Sequence, residues 1–66
     1  MTKEMAETII RRYAYYDRQF DEAEEKDDQY HIDKWLMGMT TIDGILSDTG
    51  YKMAKTYDGQ FVIVKK

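Results

Sequence analysis

The sequence predicts an α+β fold, an antiparallel helical hairpin followed by a C-terminal β-hairpin, on three observations. Two apolar stripes recur at helical spacing, a glycine stop follows the second, and an Asp-Gly pair then sits between two β-rich runs. With 66 residues the chain has room for one domain, 1–66.

The first stripe is Met5, Ile9, Tyr13, Tyr16, Phe20 and Ala23, at steps of three and four, and it predicts a helix from about Thr2 to Lys26. No proline interrupts it. Glu7 with Arg11, Arg18 with Glu22, and Glu22 with Lys26 are spaced as i,i+4 ion pairs on its exposed side. Continuing the stripe would place Asp27 where an apolar residue is due. A turn is therefore expected near residues 26–28, with Asp27 or Asp28 capping the next helix through its carboxylate.

That second helix, about 28–48, carries the stripe Ile32, Trp35, Leu36, Met39, Ile42 and Leu46. Ser47-Asp48-Thr49-Gly50 ends it, with Gly50 suited to the left-handed conformation that closes helices. Gly38 and Gly44 each lower intrinsic helicity by about 1 kcal/mol relative to Ala, so this helix depends on tertiary support; small residues also permit close approach of another helix. Asp43 falls within the apolar stripe and needs a partner there, Arg11, Arg12 or a tyrosine hydroxyl of the first helix.

Past Gly50 the period changes. Tyr51 to Thr56 and Phe61 to Lys66 bracket Asp58-Gly59, the signal of a two-residue hairpin loop. That loop would set Lys55 opposite Val62, Ala54 opposite Ile63 and Met53 opposite Val64. Tyr51, Met53, Tyr57, Val62 and Val64 would then share one face, and Ala54, Phe61 and Ile63 the other. A hairpin alone is marginal in water and must pack on something.

Composition narrows the functions. The chain has no cysteine and a single histidine, His31, so disulfides, thiolate metal sites and cysteine nucleophiles are excluded by count. No Gly-rich phosphate loop or nucleophile with a visible base is present, and the expectation is a non-enzymatic protein without cofactor. Glu24, Asp28 and His31 share a helix-face spacing used by carboxylate and histidine metal ligands, but such sites need further carboxylates from facing helices; the simpler reading is a capping or solvated His31. No apolar run is long enough to span a bilayer and no secretory signal opens the chain, which points to a soluble, cytoplasmic protein that makes no use of a membrane.

Charge is uneven. Residues 1–50 hold 12 acidic and 6 basic side chains, whereas residues 51–66 hold four lysines against Asp58, so a net −6 and a net +3 sit on one chain. The densest block runs from Asp17 to Asp28. It reads as a solvated helix surface or as a docking surface for a basic partner protein, through Asp17, Asp21, Glu24, Glu25 and Asp28. The alternative is nucleic-acid binding through the hairpin lysines Lys52, Lys55, Lys65 and Lys66, which equally serve to discourage strand-edge pairing. Arg11, Arg12, Tyr15, Tyr16 and Arg18 also mix cations with aromatics, although Tyr16 belongs to the core stripe and the neighbouring acids oppose a phosphate backbone. Tyr15, Met37 and Ile45 lie off both stripes, and a core this small gains from association, so a homo-oligomer is expected, most simply a two-fold dimer.

A helical hairpin ending in Gly50-Tyr51, then a terminal hairpin around Asp58-Gly59-Gln60-Phe61-Val62-Ile63, resembles in style many small open reading frames of bacterial phages and mobile elements. That resemblance implies an accessory or inhibitor protein that binds a bacterial host or defence protein, such as a CRISPR effector, stoichiometrically. An acidic block would then imitate nucleic-acid phosphates in a basic groove. The net charge of −3 and the basic tail depart from heavily acidic DNA mimics.

Overall fold

The computed structural model describes all 66 residues. Helix α1 spans Lys3–Glu25, helix α2 Gln29–Asp48, strand β1 Tyr51–Lys55 and strand β2 Phe61–Lys65, the strands forming one antiparallel pair. The expected α+β order is therefore present. Neither helix is long and apolar enough to cross a membrane.

Each boundary has a local cause. Thr2 caps α1, its hydroxyl accepting from the Met5 N–H at 3.1 Å. At the other end, Asp27 takes φ +54°, its N–H bonds the Glu24 carbonyl at 3.1 Å, and the Asp28 N–H bonds the Ala23 carbonyl at 2.9 Å. These are the two bonds of a Schellman close, with an aspartate in the left-handed position usually held by glycine. Asp28 then caps α2, accepting from the His31 N–H at 3.3 Å, so the last residue of one motif is the first of the next. Gly50, at φ +89°, follows the C-cap Thr49 as expected, and its carbonyl accepts from the Lys66 N–H at 3.0 Å, tying the end of the hairpin to the end of α2.

The hairpin corrects the expected register by one residue. Lys55 pairs with Phe61, Ala54 with Val62, Met53 with Ile63, Lys52 with Val64 and Tyr51 with Lys65. A two-residue type I′ loop requires positive φ at both Asp58 and Gly59, and only Gly59, at +87°, adopts it. The chain instead makes a three-residue loop, Tyr57-Asp58-Gly59. Gly59 N–H donates to the Thr56 carbonyl at 3.0 Å, and Thr56 N–H donates to the Gln60 carbonyl at 2.7 Å. The Thr56 side chain also bonds the Asp58 carboxylate and accepts from the Gln60 N–H at 3.1 Å. The extra residue moves Phe61 and Ile63 onto the side of Met53 and Tyr51, leaving Lys52, Ala54, Val62 and Val64 on the other.

The hairpin lies against one side of the helical pair. The Phe61 ring meets Tyr13 edge to face at 5.0 Å, and the Tyr13 hydroxyl donates a long 3.3 Å hydrogen bond to Asp43. Asp43 thus has a tyrosine partner on α1, but it is exposed rather than buried, because Trp35, Ile42 and Leu46 lead the packed face and Asp43 sits at its hairpin-side margin. Between the helices, Tyr15 and Tyr16 pack on Trp35 at 5.8 and 5.7 Å. The Tyr16 ring also presses on Gly38, where an added Cβ would stand 2.9 Å from Cε2. Close approach at Gly38 is thus made by a ring rather than by a helix backbone.

The core is thin. Only Tyr13, Ala23 and Leu46 are buried, and two stripe members remain largely exposed, Met5 at 55% and Leu36 at 47%. The stripes continue past the area that the facing helix and the short hairpin cover. The expected Glu7–Arg11, Arg18–Glu22 and Glu22–Lys26 pairs are not formed, and the one ion pair is His31 with Asp28. Of the cations in those pairs, Arg18 lies over the Tyr15 ring at 5.7 Å and Arg11 donates to the Thr8 hydroxyl at 3.4 Å; elsewhere Lys34 lies over Trp35 at 5.0 Å and Lys55 over Phe61 at 5.2 Å. An exposed i,i+4 ion pair contributes only about 0.3–0.5 kcal/mol, so an aromatic face competes on equal terms.

Candidate functional site

Helical periodicity places Asp17, Asp21 and Glu24, at i, i+4 and i+7, in a row along one flank of α1 about 10 Å long. It is the flank beside the hairpin. Asp17 is half-buried and lines an open cleft of about 410 Å³ with Ile10, Arg11, Ala14, Gly59, Gln60 and Phe61, whereas Asp21 and Glu24 stand in solvent. With Arg18 on an aromatic ring, no lysine or arginine is in ion-pair contact with any of the three.

The other two candidates of the acidic surface leave the row. Glu25 lies one residue on from Glu24 and so points about 100° away around the helix. Asp28 is committed to the turn: Oδ1 caps α2 and Oδ2 bonds His31 Nδ1 at 2.6 Å. Bonds from the His31 side chain and backbone hold the Asp28 carboxyl below its ordinary value, with a smaller contribution from the charge of Lys26. With one His31 nitrogen engaged by Asp28, the Glu24, Asp28 and His31 spacing does not converge, and no three metal-ligating side chains gather anywhere in the chain. The space beside them is an open cleft of about 250 Å³ bordered by Gln19, Glu22, Lys26 and Trp35.

Tyr13 is the group that links the row to the hairpin. Burial, then the charge and hydrogen bond of Asp43, then the charge of Asp17, push its phenol above the ordinary 10.0. Tyr13 therefore stays protonated and acts as a donor that joins α1, α2 and β2.

The hairpin lysines do not form one surface. Lys52 is on the outer face, Lys55 and Lys65 share the Phe61 face at opposite ends of the strands, and Lys66 Nζ donates to Ser47 Oγ at 2.5 Å. In the mixed segment of α1, Tyr16 is packed on Gly38 and Trp35, while Tyr15, still 41% exposed, is shared between Trp35 and Arg18.

Residue spacing alone does not indicate that Arg18, Lys34 and Lys55 lie over aromatic rings. The only sequence signal for it is an aromatic one to six residues from each of these cations. No protein-family model, curated protein or solved structure matches this chain.

Proposed function

We propose that this chain is a non-enzymatic protein-binding module that docks a basic surface of a partner protein along Asp17, Asp21 and Glu24. The observation that carries the reading is the row itself, three carboxylates on one flank with no cation in ion-pair contact with them. Like charges held side by side without neutralisation favour a cationic partner, accelerate its encounter and disfavour acidic competitors. The adjoining apolar side chain of Phe61 and the cleft under Gly59 and Gln60 offer a place for an uncharged side chain of that partner.

The resemblance to small phage proteins gives this reading a particular form, an inhibitor whose acidic row occupies a basic groove of a host or defence protein in place of phosphates. The nucleic-acid reading through Lys52, Lys55, Lys65 and Lys66 is weaker, since those lysines diverge from one another. The test is co-purification from bacterial lysate with mass spectrometry, comparing the wild-type chain with a variant carrying Asp17→Asn, Asp21→Asn and Glu24→Gln. A partner of basic surface retained by the wild type, released by salt and absent with the variant supports the docking row. An identical set of partners for both, or salt-sensitive capture of nucleic acid lost on replacing the lysines, overturns it.

A further inference from the structure

The helical layer is covered on one side only. On α1, Tyr13 meets Phe61, and Ile10, Ala14 and Asp17 lie under the loop; on α2, Asp43 and Ser47 face the same way through Tyr13 and Lys66. By the helical repeat, Ile45 of α2 points to the opposite side, while Ile9 and Ile42, one turn before Tyr13 and Leu46, lie along the seam between the helices, with Met5 one turn further along the same stripe of α1. There Ile9, Ile42, Ile45 and Leu46 line a cleft of about 80 Å³ that is entirely aliphatic. Met5 is 55% and Ile45 58% exposed at its margins. Glu4, in the first turn of α1, and Arg12, near its middle, carry opposite charges.

The molecule is also too open for its mass. Its accessible surface is 5075 Å², where a folded monomer of this size exposes about 4,400 Å². The radius of gyration is 12.4 Å, against about 10.8 Å for a compact chain of this length. The surplus, about 650 Å², is close to the ~800 Å² that each partner buries in a standard interface.

We propose that a second copy of this chain covers the face formed by Met5, Ile9, Ile42 and Ile45, the two helical pairs stacking about a two-fold axis with the hairpins outermost. A two-fold axis matches an aliphatic surface with itself. The Asp17, Asp21 and Glu24 flank stays outside this contact, so the proposal stands independently of the docking row.

Sedimentation equilibrium of the full chain at micromolar concentration tests it. The expected mass is twice the 7.9 kDa of one chain. Ile45→Glu is expected to halve that mass while the far-ultraviolet helical signal is kept, and Met5→Glu, on the other helix, to do the same. Met37→Glu, at a side chain 70% exposed on the far side of α2, leaves the mass doubled. A wild-type chain sedimenting as a monomer overturns the proposal, as does persistence of the doubled mass in Met5→Glu or loss of it in Met37→Glu alone. If Ile45→Glu unfolds, Met5→Glu decides.

Discussion

The two sides of the helical pair are built to different standards. On the hairpin side, Tyr13, Phe61 and Asp43 join three elements through an edge-to-face ring contact and a hydrogen bond. On the opposite side the seam between the helices opens at Ile9 and Ile42, and Met5 and Ile45 stand largely exposed. Aromatic and polar contacts thus hold the hairpin side together, while aliphatic side chains are left available on the other.

Substitutions sharpen that contrast. Leu46→Ala removes the most enclosed side chain, at 1% exposure, and is expected to cost about 3 kcal/mol in urea denaturation, enough to unfold a domain with so small a core. A near-wild-type midpoint would mean that stability lies elsewhere. Phe61→Ala empties the contact on Tyr13 and is expected to cost about 2 kcal/mol, with amide exchange in 51–65 quickening more than in α1. Equal quickening throughout would show that hairpin and helices open as one unit.

The two central glycines of α2 should move in opposite directions. Gly38→Ala sets a methyl carbon 2.9 Å from the Tyr16 ring and is expected to destabilise by about 1 kcal/mol, the overpacking exceeding the gain in helix propensity. Gly44 has nothing within 4 Å of an added Cβ, so Gly44→Ala is expected to stabilise by about 0.8 kcal/mol. Thermal midpoints that shift in the same direction would remove Tyr16 from the account.

The smallest effect is on pH. Because the phenol of Tyr13 is raised in the fold, its contribution is complete below pH 10.0 and is lost as pH climbs through the raised value. Replacing Asp43 with Asn removes part of that elevation, so stability should fall less steeply above pH 10.0 than in the wild type. Parallel curves would sever Tyr13 from Asp43.

The helices were legible because their boundaries are local. Thr2, Asp28 and Gly50 act through bonds to residues a few positions away, and the stripes follow from the helical repeat. The hairpin register was not, since Asp58-Gly59 suits two loops of different length, and the choice turned on a negative φ at Asp58 and on Thr56 reaching Gln60. Exposure of Met5 and Leu36 was hidden for another reason: periodicity says which way a side chain points, but not how far its cover extends. Of the five acidic candidates, Asp17, Asp21 and Glu24 share a flank by helical spacing, Glu25 falls off it, and Asp28 is drawn off by the turn it makes.

The close at Asp27 and Asp28 gears one helix to the other. With no spare residue between the end of α1 and the cap of α2, a single residue inserted after Asp28 would advance α2 by about 100°, swinging Leu46 toward water and a hydrophilic neighbour inward. Sequence drift at this junction is therefore restricted to exchange of side chains, and lengthening it would need a compensating deletion within the same turn.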